Sequence, residues 1–491
     1  MESWEQVLCA LVIAAAIDWA YRWYLDTSRD VNAVYLQQQS TIGSTRKSEE
    51  SAIYTSSKLH QGLRGGLEIR YDHYKIRSGN MRDVWELLIN QTRRTGQDSK
   101  WFRTSNWSIT VGQLNSAMKT LGEQLTANSI SVVNFVKDDL FQSPESLVVL
   151  IACLTHQVTV HFIDLNEIND DISYDSTKQV VGEFPIIFSE KSSSLEFKNV
   201  YEKKFDEGVA IKVTTKKGRF ITRSTFTQAN FTSALASFLK HLPEDHALTS
   251  SDSLELIHEN GLEVNSILTM LATCITNTTL CINKETTEKP TILKLSDQKF
   301  VEFADENLKP SSTSFPYSIS LKRSINLLSQ GIFSPIFPRI IKSNSKFSEL
   351  RLIYITHELG SPMLITPAEL NKWRALSGAR IVVEHIHPGV VGSVLVTDFY
   401  DYRNLELSPT KISGYGGISQ SLEIKLINED KKSGYDGTYG QIYVRGYIIG
   451  TTEKQVVGLP QGPQHNQPNE GFMPLGLSGK WGNDGCLYVN R

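Results

Sequence analysis

Cysteine is scarce in this chain. The five present among 491 residues, Cys9, Cys153, Cys274, Cys281 and Cys486, form none of the closely spaced pairs that tetrahedral zinc sites use. Their odd number does not suit a disulfide framework, and they read as small apolar side chains in a reducing compartment. An excess of charge is missing too: 50 basic residues face 53 acidic ones, for a net charge of −3 and a pI near 6.4. Nucleic-acid binding usually needs a basic face, so no nucleic-acid partner is expected. Positive charge is also absent ahead of the long apolar run at Val7 to Ile17, where Glu2 and Glu5 stand instead. That order excludes the usual layout of a cleaved signal peptide.

With 40% hydrophobic and 21% charged residues, the composition is that of a globular protein long enough for several layers of core. The apolar run is shorter than the roughly 20 residues that cross a bilayer. Asp18, Trp19, Ala20, Tyr21, Arg22, Trp23, Tyr24 and Leu25 extend it, with Asp18 and Arg22 four apart on one helical face and the aromatic residues forming an interfacial belt. Residues 1–25 therefore read as a membrane-anchor helix, with a helix packed on the body as the alternative. Arg22, Arg29, Arg46 and Lys47 follow the run and place the body in the cytosol. Residues 26–75, rich in Ser, Thr and Gln at their start, read as a linker and juxtamembrane segment. Basic residues outnumber acidic ones from Lys58 to Arg103, and they suit either anionic headgroups or a solvated surface.

The body alternates strand and helix. Leu114, Met118, Leu121 and Leu125 form one apolar stripe on a helix that Thr110 starts. A strand follows at Ile130 to Val136, then a helix opened by Ser143-Pro144-Glu145, then a short strand from Val158 to Ile163. This alternation predicts an α/β fold with a mostly parallel sheet. The order also resembles the start of the adenylate-forming fold, as does the tail Gly471-Phe-Met-Pro-Leu-Gly-Leu-Ser-Gly-Lys-Trp481. On both segments the chain resembles a degenerate member of the AMP-forming acyl-CoA synthetase and luciferase superfamily. The resemblance implies stacked αβ subdomains over residues 76–375, and a remainder at 376–491 that includes a small β-rich subdomain. Within that remainder, Ser421 to Asp430 and Tyr439 to Gly446 are strands joined by a turn at Lys432 to Asp436.

In that family an Asp in the tail grips the ribose of ATP, and Leu477 stands in its place here. The family's catalytic Lys lies in a further domain, and the chain stops at Arg491, so that mobile lid is expected to be absent. The family's phosphate loop resembles Val213 to Thr222, including Thr214, Thr215 and Gly218; only one glycine remains, and Ile221 or Thr222 occupies the terminal Lys position. Lys216, Lys217 and Arg219 make this stretch a basic hairpin open to water, with an anion cradle as the alternative.

Leu254 to Gly261 resembles a stretch near the family's substrate pocket. His258 and Gly261 keep its spacing, and His258 is either the border of an acyl pocket or a core histidine. The strand from Leu350, the helix Thr366 to Leu376 and the strand from Ala379 resemble the elements leading to a Tyr-Gly-x-Thr-Glu motif, whose Glu holds magnesium. Here the sequence reads Glu384-His-Ile-His-Pro-Gly389 and the Thr-Glu pair is gone. His385 and His387 share a strand face, but no third metal ligand suggests itself.

The expectations are therefore loss of ATP and magnesium binding, no catalytic residue and no metal. They describe an inactive acyl-CoA-synthetase-like membrane protein that acts as a scaffold or regulator in lipid metabolism, with protein partners, at the endoplasmic reticulum or lipid droplets. A divergent fatty-acid ligase or fatty-acid transport protein, and a module that only binds an acyl ligand, are the alternatives.

Overall fold

The helix starts follow from side chains that accept the first free amides. Asn80, Thr110, Ser143, Thr227 and Thr366 each close a capping box with the third residue of the helix they open. In the computed structural model the helices are α1 (Glu2–Ser28), α2 (Met81–Thr95), α3 (Val111–Ala127), α4 (Pro144–Thr155), α5 (Lys203–Glu207), α6 (Gln228–Lys240), α7 (Glu263–Thr276), α8 (Asp297–Asn307), α9 (Phe315–Ser329) and α10 (Pro367–Ser377). The structure describes all residues except 1, 33, 46–49, 60–61, 72–74, 97–100, 138–139, 164–179, 182–183, 186–191, 218–219, 284–288, 309–314, 334–346, 409, 429–438 and 457–469. The turn expected at Lys432 to Asp436 lies outside the described residues.

The strands, numbered along the chain, form two principal sheets. The smaller runs β22 (Thr451–Val456), β12 (Phe220–Thr227), β11 (Val209–Lys217), β8 (Thr159–Ile163) and β7 (Val132–Val136). The larger has a parallel centre in the order β5 (Phe102–Thr104), β14 (Thr279–Ile282), β13 (Ser253–Leu256), β15 (Ile292–Ser296), β16 (Leu352–Glu358) and β17 (Arg380–Ile386), with β6 (Ser108–Ile109) outside β5. Beyond β17 it turns antiparallel through β18 (Ser393–Val396), β19 (Ile412–Ile418), β24 (Leu487–Asn490), β23 (Met473–Trp481), β21 (Gly440–Gly446), β20 (Leu422–Ile427), β2 (Tyr54–Ser56) and β1 (Ser40–Ile42). Two small hairpins, β3 (Ile69–Tyr71) with β4 (Lys75–Arg77) and β9 (Val180–Val181) with β10 (Phe184–Pro185), complete the strands described. The mixed α/β architecture expected from the alternation is present, with its central strands buried on both faces.

Two readings of the amino-terminal part change. Helix α1 runs three residues past Leu25, to Ser28, and does not pack on the body: the stretch from Gln6 to Ser28 is long and apolar enough to cross a membrane, and none of its most apolar window is buried. Residues 26–75 are also more than a linker. β1 and β2 extend the large sheet through β20, Tyr54 stacks on Trp481 with ring centroids 3.7 Å apart, and Glu50 accepts a buried ion pair from Lys425 at 2.8 Å. Short strands without apolar alternation leave little trace in a sequence, because a partner strand far along the chain supplies their stability.

Much of the basic charge between Lys58 and Arg103 is spent inside the body. Lys58 pairs with Asp398 at 2.9 Å, Arg77 with Asp83 and with Asp206, while Arg82 donates to the carbonyls of Thr155 and Lys198.

Candidate functional site

Strand order places the site. The chain passes from β13 outward to β14, then crosses back over β13 to β15 and continues to β16 and β17. The direction of winding therefore reverses between β13 and β15, and open α/β sheets bind ligands in the crevice outside the carboxyl ends of the strands at such a reversal. The residues delivered to that edge are His258 after β13, Asn283 after β14, Asp297 after β15, His357 near the end of β16 and His385 near the end of β17.

His258 is held on three sides. Its Nδ1 lies 2.8 Å from Ser266 Oγ, its main-chain N–H donates to Asn283 Oδ1 at 2.7 Å, and its ring meets Phe141 edge-on with centroids 5.6 Å apart. Its Nε2 is buried with no protein partner among the described residues, and burial pulls its pKa down to about 4. Two residues touching it, Phe141 at φ +66° and Asn283 at φ +44°, hold backbone conformations that side chains other than glycine rarely adopt. Strain of that kind persists only where the surroundings enforce it. Gly261, at φ +92°, turns the chain into α7, and its N–H donates to Glu263 Oε1 at 2.6 Å. The retained pair His258 and Gly261 thus sits at the winding reversal.

Glu384 has a different fate. Its carboxylate meets Lys294 Nζ at 2.6 Å with both side chains about 5% exposed or less, and the ammonium lies 4.6 Å from the centre of the Phe238 ring. A buried carboxylate neutralised in this way is a structural partner. Beside it Tyr354 Oη lies 3.1 Å from His241 Nε2, and burial holds His241 down to about 4.

The two histidines expected to share a strand face do not form a pair. β17 ends at Ile386; His385 is buried with its Nε2 3.4 Å from the Tyr415 N–H, while His387 lies beyond the strand and its Nδ1 accepts from the Gly389 N–H at 3.1 Å. Burial pushes the pKa of His385 well below the usual imidazole range. Among the described residues, no group of three or more His, Cys, Asp or Glu is arranged to hold a metal.

His357, which sequence reasoning did not single out, packs edge-on against His385 at 5.4 Å and bonds Asp297 Oδ2 through Nδ1 at 2.7 Å. These residues, with Met363, Leu364, Ile365 and Tyr415, line a cavity of about 20 Å³. That is room for a single water, whereas small-molecule pockets run from about 300 Å³ upward. Leu477, on β23, covers the end of β16: its Cδ2 lies 3.2 Å from where a Cβ on Gly360 would sit, and it packs on the main core.

The stretch resembling a phosphate loop is a β-hairpin. β11 and β12 pair from Val209 with Thr227 through Lys217 with Phe220, which sets Thr214 opposite Arg223 and Thr215 opposite Thr222. Thr214 is buried and its Oγ1 lies 2.8 Å from His161 Nε2. Main-chain groups committed to a strand ladder are not free to wrap a phosphate. Gly218 and Arg219 lie outside the described residues. His161, like His258 and His241, is held to about 4 by burial first, then by Lys212 and Arg223.

These histidines set a pH dependence. Each is neutral when folded and takes up a proton near 6.5 when unfolded, so the unfolded state binds more protons between pH 6.5 and about 4. Stability is expected to fall as pH drops through that window. Thermal unfolding followed from pH 7 to 4.5 checks this, and His258→Phe should flatten the slope; a midpoint independent of pH contradicts it.

No protein-family model matches the chain. It is 27% identical to the putative uncharacterized protein YHR045W of Saccharomyces cerevisiae, aligned over 99% of this chain and 98% of that one. Solved structures resemble it along most of its length. VinN is 12% identical and superposes with a TM-score of 0.56 over 87% of this chain and 100% of its own. The luciferase-like enzyme of the nonluminescent mealworm Zophobas morio is 13% identical, with a TM-score of 0.54 over 87% of this chain and 98% of its own. O-succinylbenzoate coenzyme A synthetase of Bacillus subtilis is 13% identical, with a TM-score of 0.52 over 82% of this chain and 78% of its own. At these identities the likeness establishes the fold alone, and the chain has the fold of the adenylate-forming superfamily.

Proposed function

We propose that this chain is a membrane-anchored protein of the adenylate-forming fold that has lost nucleotide chemistry and serves as a scaffold or regulator in lipid metabolism, at the cytosolic face of the endoplasmic reticulum or of lipid droplets. The observation that carries the loss is Glu384. At the segment resembling the magnesium-holding motif it is locked in a buried ion pair with Lys294. The neighbouring features support the same reading: Leu477 covers the end of β16, Thr214 is tied into a strand ladder, and the cavity beside His357 measures about 20 Å³. Exposure of α1, apolar all round from Val7 to Ile17, supports the anchor, since such a stretch is stable in hydrocarbon and not in water. The buried Nε2 of His258, without a partner among the described residues, supports the alternative of a module that binds an acyl ligand.

The test is an incubation of the full chain with ATP, magnesium, coenzyme A and a fatty-acid mixture, with and without cell extract, reading AMP release and acyl groups retained on the protein. No AMP above the background of extract alone is expected. Turnover that depends on the chain would restore the ligase reading.

A further inference from the structure

Helix α9 lies beside the base of α1. Where α1 ends, Arg29 Nε donates to the Gln330 carbonyl at 3.1 Å, and the Asp30 N–H donates to the Gly331 carbonyl at 3.1 Å. Gln330 and Gly331 are the first residues past α9. Asp30 is itself clasped, its Oδ2 accepting from Arg380 at 2.6 Å and from the Tyr402 hydroxyl at 3.0 Å. Arg380 in turn stacks on Phe333, 4.1 Å from its centre. The inner face of α9, at Leu321, Ser324, Ile325 and Leu328, packs towards Tyr402 and Ala375. The seat of α1 and the seat of α9 are therefore one cluster of side chains.

The outer face of α9 carries Ile319, Lys322, Arg323 and Asn326, spaced three, one and three apart, and all are exposed, Ile319 by 51%. α9 contains no acidic residue, and neither Lys322 nor Arg323 forms an ion pair among the described residues, while Arg22 pairs with Asp18 within α1 and Arg29, just past its end, pairs with Asp26. From Arg323 to Gln330 the helix rises roughly 10 Å, about one Debye length at physiological salt. An apolar side chain beside two uncompensated cations is the composition of a surface that rests on anionic headgroups.

We propose that α9 is a second membrane contact, in which Lys322 and Arg323 engage the headgroups of anionic lipids next to the α1 anchor and Ile319 dips between them. This fixes the orientation of the body on the bilayer. The inference rests on the anchor reading of α1.

The test places the full chain, with Cys9→Ser and a fluorophore on Asn326→Cys, in nanodiscs containing spin-labelled lipid and either phosphatidylcholine alone or phosphatidylcholine with phosphatidylserine. Quenching is expected to be stronger with phosphatidylserine, to weaken at high salt, and to be lost in Lys322→Glu/Arg323→Glu, since each cation near the surface contributes roughly fivefold to docking. Equal quenching in both compositions, unchanged by the double substitution, overturns the proposal. If the full chain fails to enter nanodiscs of either composition, the anchor reading fails instead, and circular dichroism of the double variant separates lost docking from lost folding.

Discussion

Replacing Lys294 with alanine is expected to lower the free energy of unfolding by about 3–5 kcal/mol, because it leaves the Glu384 carboxylate buried without a counter-charge. The lysine is 4% exposed and packed over the rings of Phe238 and Tyr354. The carboxylate side fails in the same way: Glu384→Ala strands the ammonium. Replacing both together, Lys294→Met with Glu384→Leu, is expected to recover most of the loss, since apolar side chains of similar volume substitute well for a buried ion pair. Urea unfolding of the two single variants and the double variant measures this, the double-mutant cycle isolating the pair from its packing. A Glu384 kept for magnesium would behave differently. Lys294→Ala would then leave a folded protein whose stability rises with added magnesium, and that outcome would count against the assignment.

Deletion of residues 2–28 is expected to move the protein from the carbonate-resistant pellet entirely into the supernatant without unfolding it. The helix contributes no buried surface to the body over its most apolar window, while Asp30 keeps its bonds to Arg380 and Tyr402. The full chain should resist carbonate, because a spanning helix is held far more firmly than any surface contact. Release of the intact full chain by carbonate would reject a spanning anchor. Aggregation of the deleted form together with loss of its circular dichroism would show instead that α1 is part of the body.

The central helices and strands were legible because their signals are local. Thr110, Ser143 and Thr366 accept amides three residues on, and the stripe from Leu114 to Leu125 is buried as the spacing predicts. β1 and β2 were not legible, since β1 pairs with β2 and β2 is held to the sheet by β20, near residue 424. The site divided along the same line. His258 and Gly261 carried a motif spacing and do sit at the winding reversal. Lys294, nearly a hundred residues before Glu384 in the sequence, carried no signal that it would neutralise it, and neither did the bond from His357 to Asp297. His385 and His387, expected on one strand face, do not share it, because β17 stops at Ile386 between them and the second imidazole turns back onto Gly389.

Calorimetric titration of the full chain in nanodiscs with ATP and magnesium tests the loss of nucleotide chemistry most directly, because it interrogates the hairpin around Thr214, the ion pair of Glu384 and the surface covered by Leu477 at once. The expected result is no saturable heat beyond dilution, with magnesium and without it. A saturable, magnesium-dependent isotherm would show that the carboxyl edge opens to a nucleotide, and would contradict the account.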